Sequence, residues 1–109
     1  MKVLHINCNY IYTWLHQQMA EELAKIGVEN RIVAPVVKGA KGVVKVNDNV
    51  AVLPCFQKWD KVSFYYKQKK IISAVKKCVE GERFDLLHAY TLFTDGNAAY
   101  RLSKETGIP

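Results

Sequence analysis

The first thirty-five residues constrain the fold most. Lys2–Ile6 is an apolar run of strand length, residues 14–26 carry helical periodicity, and Asn30–Pro35 is a second short apolar run. Two buried strands joined by a helix within about 30 residues lie parallel, and the crossover between them is right-handed. Thr13 is placed to cap the helix, its hydroxyl accepting from a backbone N–H one turn on. Leu15, Met19, Leu23 and Ile26 share one face and are the expected buried stripe. Gly27 stops the helix and Pro35 is expected to end the second strand.

The remaining chain repeats the alternation. Residues 36–49 hold Lys38-Gly39-Ala40-Lys41-Gly42, which lacks the spacing of a phosphate-cradling loop and reads as a solvated connection. Within it, Val43–Val46 is a candidate hairpin partner. Val50–Cys55 reads as the third main strand. Gln57–Glu80 reads as one long helix with an irregular first turn; Val62, Tyr65, Ile72, Val75 and Val79 face inward, flanked by Ile71 and Cys78. Its opposite face is basic, with Lys58, Lys61, Lys67, Lys69, Lys70, Lys76 and Lys77, and Trp59, Phe64, Tyr65 and Tyr66 crowd its start. A basic helix with aromatics suits either a solvated surface or transient contact with an anionic membrane. Asp85 opens the apolar run Leu86–Ala89, a fourth buried strand, and residues 97–106 are helical with Ala98, Ala99 and Leu102 inward. The pattern predicts an α/β fold, a Rossmann-like parallel sheet flanked by helices. Ligands of such sheets bind outside the carboxyl ends of the strands. His88 and Tyr90 stand at such an end.

A chain of 109 residues is one domain or part of one. The net charge of +6 favours anionic partners without choosing among them. Cys8, Cys55 and Cys78 match no metal or disulfide pattern, which suits a cytoplasmic protein. The apolar N-terminal run is broken by His5 and Asn7, unlike a signal peptide, and no run approaches the about 20 apolar residues of a membrane span. Acidic residues do not cluster after the first strand as a phosphoacceptor domain requires, and the loop there lacks the Ser, Thr and Gly of a flavodoxin-like phosphate loop. A small α/β binding module that contacts nucleic acid or an acidic membrane surface stays as the alternative. Nucleic acid is disfavoured because no reader motif is present.

Three stretches carry a resemblance: Lys2–Ile6 with Gln18–Gly27; Arg31–Pro35; and Asp85-Leu86-Leu87-His88-Ala89-Tyr90 with Leu92–Gly96 and Gly107-Ile108-Pro109. Together they resemble the start of the group 1, or family 4, retaining glycosyltransferases, which have a GT-B fold of two Rossmann-like domains facing a cleft. The resemblance implies that residues 1–109 are a partial N-terminal, acceptor-side domain and that the C-terminal donor-binding domain is absent. It implies transfer of a hexosyl group from a nucleotide-sugar donor to a glycan or glycolipid acceptor, as in polysaccharide biosynthesis. It implies no metal or other cofactor, a cytoplasmic protein peripheral to the inner face of the membrane, and no activity for this piece alone. His88, Tyr90, Asn7, Asn9, Tyr10 and Thr13 are then the expected substrate-binding residues; no catalytic residue is assigned. Two departures accompany the resemblance. The loop after the first strand, Asn7-Cys8-Asn9-Tyr10, lacks the paired glycines common in that family, and Tyr90 stands where relatives often carry a second histidine.

Each of these residues has an ordinary structural reading beside the functional one. His88 is a satisfied strand-end histidine or a sugar contact; Tyr90 is packing or site; Asn7 and Asn9 meet a ligand or shape a turn. His5 reads as structural, and His16 faces either cleft or solvent. Asp95-Gly96 reads as a cap and turn. With the fourth strand beside the first, residues 85–90 form an apolar edge, and self-association through it is expected.

Overall fold

The computed structural model describes residues 1–43 and 46–109, excepting the Lys61 side chain. Of the expected hairpin partner at Val43–Val46, Val44 and Lys45 lie outside the described residues, and Val43 and Val46 are exposed. Four strands form one parallel sheet in the order β3-β2-β1-β4: β1 Lys2–Ile6, β2 Glu29–Val37, β3 Val50–Phe56 and β4 Leu86–Ala89. Three helices, α1 Trp14–Lys25, α2 Phe64–Cys78 and α3 Thr94–Thr106, flank it. This is the Rossmann-like α/β class the alternation predicts.

Strand alternation divides the core in two. Leu4, Ile6, Val33 and Phe56 face α2 and α3, where they meet Ile71, Ile72, Val75, Ala98 and Leu102. On the other face Ile32, Ala34, Val36 and Val50 pack with Ala20 of α1 and with Tyr10 and Ile11 of the loop after β1. The second cluster is the thinner one, because α1 is the one helix that covers that face.

Several expectations are corrected by packing. Pro35 lies inside β2 rather than at its end. The Ile32 amide donates toward the β3 side, to Asn49, so the Pro35 nitrogen two-sidedly alternates onto the β1 side. There β1 pairing has already finished at Val33, and no ladder bond is forfeited. In α1, Leu15, Met19 and Ile26 are exposed and Ala20 is the buried residue. Asn30 Nδ2, from β2, donates to the Ala20 carbonyl at 3.0 Å and ties α1 to the sheet on that side.

The long helix is broken. Lys58–Val62 is a 3-10 turn, and α2 starts afresh at Phe64 with the Ser63 hydroxyl accepting from the Tyr66 amide. Restarting the helix resets its face. Gln68, Ile71, Ile72 and Val75 are buried, whereas Val62 and Tyr65, expected inward, are exposed, Val62 to 91%. α3 begins at Thr94, three residues before its expected start, so Asp95 lies in its first turn. The connection after β2 is exposed at residues 41–43, as expected, yet it lies against the loop after β1: a Cβ on Gly42 would come within 2.5 Å of Ile11, and the Val43 amide donates to the Ile11 carbonyl.

Candidate functional site at the carboxyl ends of β1 and β4

The chain runs outward from β1 to β2 and β3, then returns to place β4 on the other side of β1. The crevice between β1 and β4 is therefore the point where strand order reverses, the usual ligand position in an open α/β sheet. The register puts His5 directly beside His88. Asp85 sets that register: its amide donates to the Lys2 carbonyl and its carboxylate accepts from the Lys2 amide at 2.7 Å.

Four rings gather there. His5 Nδ1 lies 3.1 Å from His88 Nδ1, and the Tyr90 hydroxyl lies 3.4 Å from the same His5 nitrogen. The His88 and Tyr90 ring centres are 4.6 Å apart. His16, from the first turn of α1, packs edge-on against Tyr90 at 4.9 Å.

The tautomers follow from Asn30. Its Nδ2 donates to the Ala20 and Val28 carbonyls, so its Oδ1 is an acceptor. His5 Nε2, 2.8 Å away, must donate to it. Neutral His5 then has a bare Nδ1, which accepts from His88 Nδ1–H or the Tyr90 hydroxyl. With Nδ1 donating, half-buried His88 is left with Nε2 as an acceptor for a hydroxyl donor. Burial lowers the His5 pKa; the Asn30 bond raises it less, and the His88 charge adds to the lowering. Burial pushes the Tyr90 hydroxyl up to about 12, with the Tyr10 charge a smaller cause, so it stays protonated and can donate as well as accept.

The loop after β1 frames this cluster. Asn7 is fully buried; its amide donates to Val33, extending β1, and its Oδ1 accepts from the Asn9 amide, which shapes the turn. Asn9 is exposed. Tyr10 is buried in the core cluster beneath α1. Thr13 caps α1, accepting from the Leu15 amide at 3.3 Å. The structure thus brings His88 and Tyr90 together with His5 and His16, and places Asn7, Tyr10 and Thr13 in the frame.

Asp95 is the residue whose part the sequence concealed. It is fully buried, and its Oδ1 accepts from the Cys8 amide at 3.0 Å, tying the β1 loop to the start of α3. Burial raises its pKa, outweighing the bonds to Cys8 and Thr91. Burial, with Asp95 beside it, pushes the Cys8 thiol up to about 11, which favours the thiol over the thiolate near neutral pH. Among the described residues no group of three His, Cys, Asp or Glu is placed to hold a metal ion, and no helix is long and apolar enough to cross a membrane. No family model, curated protein or solved structure matches the chain.

Proposed function

We propose that this chain is the acceptor-side portion of a retaining glycosyltransferase of the GT-B kind. In this reading a hexosyl group passes from a nucleotide-sugar donor, held by a separate domain, to a glycan or glycolipid acceptor. The observation that carries the reading is the His5–His88–Tyr90 cluster at the crevice where strand order reverses. His88 Nε2 accepts from a sugar hydroxyl and Tyr90 offers a hydroxyl that does both. Exposed Asn9 and the start of α1 at Thr13 belong to the loop that leaves β1 beside His5. Aromatic rings beside polar hydrogen-bonding groups suit a carbohydrate, which presents an apolar ring face and polar edges. His5 does not touch the sugar; it holds the His88 ring and fixes its tautomer. Residues 1–109 alone do not transfer sugar in this account, because the reacting groups must be held from both sides of the bond.

The same reading puts the protein at the cytoplasmic face of a membrane, in contact with anionic lipid through the lysines of residues 58–77. Exposed Trp59, Phe64, Tyr65 and Tyr66 beside those lysines favour that setting. Calorimetric titration with nucleotide sugars and with oligosaccharides tests the site. A sugar that binds the native chain and binds His88→Ala about tenfold more weakly or worse supports the reading. Equal binding by both, or none by the native chain, contradicts it.

A further inference from the structure

A second concavity lies on the other face of the sheet and at its other edge, remote in topology from the histidines. An open groove of about 530 Å3 runs between the end of β3 and the outer side of α2, within the usual size of small-ligand sites. Four ammonium groups line it: Lys38, just past β2, and Lys69, Lys70 and Lys77 of α2. Ser73 adds a hydroxyl from the same helical row as Lys69 and Lys77, at steps of four, and Tyr66 adds another. Among the described residues only Lys70 of these four lysines has a carboxylate partner, Asp60 at 2.8 Å.

The sequence concentrates this charge. No Asp or Glu occurs between Asp60 and Glu80. Like charges on one helix face weaken a helix, and Lys38, Lys69 and Lys77 are exposed; Lys69 lies over the Tyr65 ring and Lys70 over the Tyr66 ring. Other lysines of this stretch are engaged elsewhere: Lys67 lies over the Phe56 ring and Lys76 pairs with Glu105. The groove also has an apolar end. Cys55, Ala74 and Lys77 are shared with an adjoining trough of about 340 Å3 that continues over Leu53, Pro54 and Cys78.

We propose that this groove is a second binding site, for a phosphate group carried on an apolar chain. The lysines and Ser73 take the phosphate oxygens, by charge-assisted hydrogen bonds. The trough takes the first carbons of the chain. This site stands apart from the proposed sugar site, and it rests on and deepens the anionic-lipid contact proposed for the lysines of residues 58–77. Phosphate chemistry is common to a lipid headgroup and to free phosphate, and the trough decides between them.

The test titrates the 109-residue chain with a short-chain phosphatidate kept below its micelle concentration, and in parallel with inorganic pyrophosphate. Binding is read from the NMR signals of the groove residues. The proposal expects the phosphatidate to bind more tightly and to shift Ser73 and Ala74. Lys69→Gln with Lys77→Gln should weaken it about tenfold, whereas Lys25→Gln with Lys104→Gln, an equal change in net charge at exposed lysines outside the groove, should weaken it less than about twofold. Ser73→Glu, a single exposed change, should abolish binding while circular dichroism stays native. Equal affinity for pyrophosphate would overturn the lipid half of the proposal. No binding, or equal loss in both double variants, would overturn the site.

Discussion

Burial decides the protonation of His5. The unfolded chain takes up a proton at this residue near its ordinary pKa of 6.5, whereas the folded chain resists it. Between that value and the lower folded one, the unfolded state binds more protons, so stability falls as pH drops below 6.5. We expect the urea midpoint to fall from pH 7 to pH 5, and His5→Gln to flatten that slope. An unchanged slope in the variant would contradict the account of His5. Asp95 gives a second test at this scale. Asp95→Ala removes the acceptor of the Cys8 amide and should cost about 1–3 kcal/mol, because the amide is left buried and unpaired. Asp95→Asn keeps an acceptor oxygen and sheds the charge that burial penalises, so it should cost less than the alanine at pH 7. Chemical denaturation of the two variants measures the difference. The partnership of His5 and His88 was within reach of the sequence, since Lys2 and Asp85 each stand three residues before a histidine. Placing β4 beside β1 was not enough; it also needed the register that Asp85 sets with both backbone and side chain. Asp95 gave no such signal, because an aspartate before glycine reads as a turn and only the packing of α3 against the β1 loop buries it.

At the scale of elements, the strands were legible, as were the inner faces of α3 and of α2 from Ile71 onward, whereas the face of α1 and the stretch before α2 were not. Short apolar runs between turn residues mark β1, β3 and β4 closely, because a buried parallel strand needs little else. A helix face depends on its starting residue, and the break at Ser63 was the hidden variable in α2. Gln68, a polar residue that no apolar pattern selects, is buried there because it bridges the helices: its Nε2 donates to the Thr94 carbonyl and its Oε1 accepts from Asn97 Nδ2. Ile71→Ala should cost about 2–5 kcal/mol, as a fully buried side chain in the larger core cluster, while Val62→Ala should fall within about 0.5 kcal/mol of native. Thermal unfolding of both reports the true face of α2; equal effects would mean that the stripe expected from the uninterrupted helix is the real one. In α1 the apolar pattern did not mark the buried face: Ala20 packs inward, and Leu15, Met19 and Ile26 are exposed.

For the whole molecule, the sheet is unequally covered. α2 and α3 close one face, while the smaller cluster under α1 takes in β2, the start of β3 and the loop after β1, and His88 beside it is only half-buried. Leu86 on that open side is partly exposed, and one bond along the outer edge of β4 is already taken by the chain itself: the Leu87 amide donates to the Pro109 carbonyl at 2.8 Å. Among the described residues the rest of the edge is unpaired, so weak self-association through residues 85–90 is expected, visible as a concentration-dependent sedimentation coefficient that Leu86→Lys reduces. A monomer at all concentrations would count against it. The site at the strand-order reversal sits on this open side, and the phosphate groove sits on the far edge, so a ligand at one leaves the other accessible. The most direct test of the central claim is the imidazole NMR spectrum of His5, His16 and His88, recorded while a nucleotide sugar or an oligosaccharide is added. The account predicts that His88 shifts with saturation, that His5 keeps its Nε2–H tautomer throughout, and that the shifts vanish in His88→Ala. Histidine signals that stay fixed while the lysine groove of α2 alone responds would contradict it.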